Sequence, residues 1–223
     1  DIADVFVEST PEVFVQIAQS IVEPARRNAR QSVTMNSLKQ LGLAIHNYYD
    51  VNKHLPPRCL TDREGKPLLS WRVVLLPYLE QQALYNKIHL DEPWDSDHNK
   101  RIGETVIPAL QSGELSSKTR FRVPVLPGSL WHGDGPPKQF KDVVDGTSRT
   151  VAVIHAPESA AVEWSNPAPW VLSADDPMSD VFGDRDRVTV VFLDGAARTY
   201  SRDELTNDKL KAMLTYAGRE AID

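Results

Sequence analysis

The feature that most limits the fold is a long helical stretch whose apolar face is confined to its second half. From about Pro24 to Val51, Leu38, Leu41, Ile45 and Tyr48 recur at helical spacing. The first half of the same stretch carries Arg26, Arg27 and Arg30 and is mostly polar. Such a helix is roughly 40 Å long, more than the core it could cover. Burying about six apolar side chains from its second half contributes on the order of 10–15 kcal/mol gross, an upper bound. The first half needs some other support.

Upstream, Phe14, Ile17, Ala18, Ile21, Val22 and Ala25 follow helical spacing after a Thr10-Pro11-Glu12 start signal. Pro24 lacks a backbone donor and is expected to end or kink that first helix. Residues 1–23 therefore read as an amphipathic linker or the tail of an upstream module, and residues 24–223 as one domain. Pro56-Pro57 stops the long helix. Ser70 can cap a segment running to about Ile88, bent at Pro77, with Tyr78, Leu79, Gln82, Tyr85 and Ile88 forming a short amphipathic helix after it. Asp91 to Lys100 reads as a polar loop around Trp94, Thr119–Val125 as a strand, and Thr150–His155 as another. The clearest signal comes last. Val188, Val190 and Phe192 alternate with Thr189 and Val191, Asp194-Gly195 supplies a hairpin turn, and Ala196–Tyr200 returns. Asp203 can cap a final helix through Leu205, Leu210, Met213 and Leu214, ended near Gly218. Helices at both ends with strands in the second half favour an α+β fold with an antiparallel sheet.

Composition narrows the function classes. The chain of 223 residues holds 25 Lys and Arg against 31 Asp and Glu, a formal charge of −6. Without a basic block, nucleic acid is not an expected partner. The single cysteine, Cys59, excludes an intrachain disulfide and a Cys-rich zinc site. The longest strongly apolar run, Val73–Leu79, is far short of the roughly 20 residues that span a bilayer. Membrane attachment is expected only through a segment outside this chain.

His46 and Asp50, four apart on the helix, fit a ligand or base pair but better fit an ordinary surface pair. Cys59 with His54 resembles a thiol–imidazole pair but carries no sign of a depressed thiol pKa or an orienting third group. Asp91, Glu92, Asp95, Asp97 and His98 form the densest acidic patch, the one place for calcium, although the spacing of a calcium-binding helix–loop–helix is missing. The run Asp175, Asp176, Asp180, Asp184 and Asp186 reads as a solvated loop. Trp71, Trp94, Trp131, Trp164 and Trp170 are expected to pack under long loops; exposed together, they would suggest a glycan or protein contact surface. A hydrolase reading, with His155 or His132 beside carboxylates, requires a convergence that spacing does not indicate.

Several blocks carry a resemblance. Met35–Asp50 (MNSLKQLGLAIHNYYD) contains Asn36, Leu38, Lys39, Gln40, Gly42, His46, Asn47 and Tyr48, and is followed by Leu55-Pro56-Pro57. Trp71-Arg72 lies in Leu69–Tyr85, Trp94-Asp95 in Leu90–Asn99, Asp145-Gly146 in Val144–Ile154, and Asp194-Gly195 in Val188–Ser201. In this order, from about Pro24 to Asp223, they resemble the bacterial domain-of-unknown-function family 1559, also labelled solute-binding family 10. The resemblance implies a pilin-like or pseudopilin-like architecture, a long N-terminal helix on an antiparallel sheet with a C-terminal hairpin and helix. It implies an extracytoplasmic place in the periplasm or cell envelope, anchored by a segment that precedes this chain. It supplies no catalytic residue and no cofactor. Typical members place a His ten residues before the last Asp-Gly, where this chain has Asp184. Asp1–Glu23 also differs from a prepilin leader and apolar stem. The resulting expectation is a non-enzymatic domain acting through protein partners or self-assembly in an envelope or secretion-like structure. A small-ligand or glycan-binding module is the alternative.

Overall fold

A single helix, α1 (Pro11–Asn52), opens the structure and runs through Pro24. The computed structural model describes residues 11–113, 116–133 and 135–218, with side chains from residue 22 onward. The helix break expected at Pro24 does not occur. A proline removes one N–H and crowds the preceding turn, but residues 22–30 are all exposed, so no packing partner demands an unperturbed axis there. Hydrogen bonds on either side propagate the helix past the gap. At 42 residues, α1 is about 60 Å long. Its second half buries Leu38, Leu41, Ala44, Ile45 and Tyr48, the face marked by the apolar spacing.

The chain then forms β1 (Cys59–Thr61) and β2 (Pro67–Ser70), an antiparallel ribbon, followed by α2 (Trp71–Leu75). Ser70 caps α2 by accepting from Arg72 N, as its sequence position suggested. A short 3-10 turn through Pro77 leads into α3 (Gln82–Tyr85), and α4 (Asp97–Gly103) follows. The segment expected as a loop to Lys100 is thus helical from Asp97, because Ser96 accepts from Asn99 N and starts the turn. Its anchor is Asn99 rather than Trp94. Asn99 is 2% exposed, its amide nitrogen donating to the carbonyls of His89, Glu92 and Pro93, while Trp94 is only half-buried.

The stretch Thr119–Val125 is not one strand. It divides into β3 (Lys118–Thr119), β4 (Phe121–Arg122) and β5 (Pro124–Val125). Pro124 has no N–H to give to a ladder, and the chain changes partner on both sides of β4. β3 pairs with β7 (Val162–Glu163), β4 with β6 (Val151–His155), and β5 runs parallel to β8 (Trp170–Val171). After α5 (Pro177–Phe182), the expected hairpin appears as β9 (Arg187–Phe192) and β10 (Ala197–Ser201), with Gly195 at φ +85° in its turn. The last helix, α6 (Asn207–Leu214), is capped by Thr206 and not by Asp203, which lies in a preceding 3-10 turn.

The central sheet is antiparallel in the order β10-β9-β6-β4. One face meets α1 through Val153, Val191 and Leu193. The other meets α5 and α6 through Ile154, Val188, Val190 and Phe192 packed with Phe182, Leu210 and Leu214. Covering both faces explains why β9 is buried at every residue from Val188 to Phe192 although its sequence alternates. The molecule is a mixed α+β fold with a long N-terminal helix laid on an antiparallel sheet.

Candidate functional site

Gly42 and His46 of the first block, with Asp194-Gly195 of the last, build the junction between α1 and the hairpin. A Cβ added to Gly42 would lie 3.0 Å from Gly195 Cα and 3.0 Å from Val191 Cγ2, so the two glycines allow helix and turn to touch. One helical turn on, His46 Nε2 donates to Leu193 O at 2.8 Å. Asp194 shapes the turn by accepting from Ala196 N. His46 therefore fastens helix to hairpin and is not half of a ligand pair with the exposed Asp50. Phe140 lies 5.1 Å from His46 and stacks on Tyr49 at 4.0 Å. Burial, reinforced by the neighbouring phenols Tyr78 and Tyr85, pushes the Tyr48 hydroxyl above its ordinary pKa.

The other blocks are equally structural. Asp145 Oδ2 accepts from Gly218 N at 2.7 Å and Asp145 N donates to Tyr216 O, tying the chain after α6 to the Asp145-Gly146 turn. Trp71 is buried, as are Trp131 and Trp164, whereas Trp94 and Trp170 are partly exposed. Arg72, 2% exposed, lies over the Trp71 ring at 4.8 Å and donates through Nε and Nη2 to Phe121 O and through Nη1 to Ser70 Oγ. Arg122 donates to Ala160 O and Ala168 O, each at 2.8 Å. Burial lowers the pKa of both guanidinium groups, Arg72 strongly and Arg122 to about 10. These two arginines brace backbone carbonyls deep in the fold. Sequence reasoning passed over that role, because a lone Arg beside Trp or Phe carries no mark of burial.

Among the described residues, the candidate catalytic and metal-binding groups are spread over several places, with Cys59 and His132 on one cavity and His155 on another. Glu92 accepts from His89 Nδ1 at 2.9 Å and from Ser96 Oγ at 2.8 Å, contacts that lower its pKa, while Asp91, Asp95 and Asp97 are exposed. Among the described residues, no group of three or more His, Cys, Asp or Glu is placed to hold a metal ion. Asp176 caps α5 and Asp180 accepts from Ser173 N. His54 Nδ1 donates to Leu55 O, while Cys59 sits half-buried in β1 opposite Ser70. His132 and His155 lie on different cavities.

Two features remain outside the core. One is the outer face of α1, where Asn36, Lys39, Gln40 and Asn47 are exposed together with Leu43, at 61%, although all lie within the Met35–Asp50 block. The second is a cavity of about 270 Å³ beside Leu55, walled by Pro56, Pro57, Arg58, Trp131 and Lys138. Leu55 N donates to Lys138 O at 2.7 Å, which closes one end of this cavity.

Comparison with known proteins now bears on the blocks. Residues 23–125 match a family model described as a protein of unknown function, DUF1559. This segment is similar to DUF1559. It is the family that the sequence resembles, and the match spans α1 from residue 23 to the end of β5. The matched segment contains the Met35–Asp50, Leu69–Tyr85 and Leu90–Asn99 blocks, while the hairpin and α6 lie beyond the matched residues. No curated protein and no solved structure matches the chain. Among the described residues, no helix is long and apolar enough to cross a membrane.

Proposed function

We propose that this domain is a non-enzymatic, pilin-like scaffold of the bacterial cell envelope that acts through protein contacts made along the outer face of α1. The observation that carries this reading is the division of labour within the Met35–Asp50 block. Leu38, Leu41, Gly42, Ile45 and His46 are used by the core and the hairpin, whereas Asn36, Lys39, Gln40, Leu43 and Asn47 face solvent along one side of the helix. An exposed Leu43 flanked by amides is suited to packing against another helix, with the amides completing hydrogen bonds at the rim. Residues 22–30, all exposed, lengthen the available surface.

The reading is tested with a photo-cross-linking residue at Gln40 of the full chain, in cells and after purification. Adducts between copies of the chain, or with one reproducible envelope protein, that vanish in a Leu43→Glu variant are the expected result. A chain that stays monomeric at high concentration and yields no adduct from Gln40 in cells would reject it. The same fractionation reports location, since an envelope protein is reached by external protease once the outer layer is permeabilised. A second reading, a small-ligand or glycan-binding module, draws on the cavity beside Pro56-Pro57 and Trp131. Stabilisation by a sugar or amino acid that is lost in Lys138→Ala would favour it; a ligand at 100 times Kd adds about 2.7 kcal/mol.

A further inference from the structure

A groove of about 260 Å³ lies where the exposed half of α1 separates from the sheet. Five arginines reach it from three distant parts of the chain: Arg27 and Arg30 from α1, Arg120 from the β3–β4 link, and Arg185 from the approach to β9 with Arg187 at its first position. Among the described residues, no carboxylate lines it, in a chain whose formal charge is −6.

The floor is fixed and electrostatically strained. Arg185 donates to His155 O at 3.0 Å, Phe182 O at 3.1 Å and Val181 O at 2.7 Å. Arg120 donates through Nε to Ala156 O at 2.9 Å and meets Glu158 at 3.3 Å. Both guanidinium groups are thereby held against the end of β6 at the expense of mutual repulsion. Burial and then Arg120 lower the Arg185 pKa to about 10, with Asp184 opposing. Between them lies His155, whose Nε2 is buried without a hydrogen-bond partner. Burial, followed by Arg120 and Arg185, holds its pKa down to about 2, so the imidazole stays neutral. A neutral imidazole can still offer one N–H to an acceptor. On the sheet side, Thr189 and Thr199 bond to each other at 3.0 Å and add hydroxyls to the wall.

The geometry points to an anion-binding site: the groove between α1 and the sheet takes a compact solute carrying two or more negative charges, phosphoryl or carboxylate, on Arg27, Arg30 and Arg187, with the Arg120–His155–Arg185 floor beneath. Like charges held together in a partly desolvated cleft repel one another, and an anion entering it converts that repulsion into attraction. Charge-assisted hydrogen bonds from guanidinium groups are the strongest that side chains form, and the planar fork suits both oxyanion types. Acidic residues beside the groove, Glu158, Asp184, Asp203 and Glu204, set its boundary; hydrogen bonds with Ser201, and to a lesser degree Arg187, keep Asp203 and Glu204 ionised. This site is independent of the outer face of α1, so the two readings fail separately.

The test uses the full chain in 150 mM NaCl at pH 7.5 (about an 8 Å screening length), titrated calorimetrically with inorganic pyrophosphate and with citrate, and with glucose as the uncharged control. Saturable binding of pyrophosphate or citrate is expected, and whichever binds tighter names the oxyanion class. An Arg27→Gln/Arg30→Gln variant changes only exposed helix positions and should fold like the parent; it should bind at least about tenfold more weakly, roughly the loss of one charge-assisted contact. Arg187→Gln should weaken binding similarly, and Leu43→Glu should leave it unchanged. No saturable heat with either anion, or equal affinity in the double variant, would overturn the site.

Discussion

The two halves of α1 are one continuous helix held by different means. From Thr34 to Tyr48 the helix is clamped to the sheet by buried side chains, by Ser37 donating to Gln111 O, and by His46 donating to Leu193 O. From residue 22 to Arg30 every described side chain is exposed, and the ion pair Arg26–Glu23 is a surface contact at 3.4 Å. Helix propensity and backbone hydrogen bonds carry the second case, tertiary packing the first. A proline is tolerated in one and would be ruinous in the other. The same sequence element therefore serves as a core component at one end and as a display surface at the other.

That contrast can be broken most directly in the buried half. Leu41→Ala removes a fully buried side chain facing the sheet and should cost about 3 kcal/mol in urea denaturation. A loss below about 1 kcal/mol would mean that the helix is not clamped. At the cleft where the halves diverge, His155 makes stability depend on pH. Its folded pKa of about 2 lies below the ordinary value of 6.5, so the neutral form is favoured by folding. The contribution is fully present above the unfolded pKa and is lost progressively as pH falls below it toward the folded value. Between about pH 6.5 and 4.5 the chain should lose up to about 2.5 kcal/mol on this account, and His155→Gln should flatten that part of the profile.

Gly42→Ala sharpens the comparison at the contact itself. Alanine gains up to about 1 kcal/mol in helix propensity, but overpacking against the hairpin backbone costs about 1–3 kcal/mol. A net destabilisation of about 1 kcal/mol is expected, and a more stable protein would show that helix and turn can separate freely. The smallest effects belong to the exposed half. Val22→Ala should stay within about 0.5 kcal/mol of the parent. Pro24→Ala should raise hydrogen-exchange protection in the turns around Pro24 while leaving the global denaturation midpoint in place, because local opening there is uncoupled from the core.

Much of the fold was legible because period and turn chemistry are local. Leu38, Leu41, Ile45 and Tyr48 marked the buried face of α1, Ser70 the cap of α2, and Asp194-Gly195 the hairpin between β9 and β10. Partners were not legible. Thr119–Val125 alternates like one strand, but each pair of residues joins a different neighbour, a choice made by Pro124 and by chain segments more than 30 residues away. His46 and Asp50 suggested a pair until Leu193 O claimed the imidazole. The arginine groove left no trace in any window of sequence, since Arg30 and Arg120 are separated by 90 positions and Arg185 by another 65.

By itself the amino-acid order determined a long helix with one apolar flank, a terminal hairpin and an acidic chain without a basic block, all properties that neighbouring residues settle among themselves. Tertiary structure alone decided that Gly42 and Gly195 meet, that Arg72 is interior, and that five arginines share one cleft. Those outcomes depend on which surfaces exclude water together, a free energy belonging to the assembled fold and not to any stretch of chain.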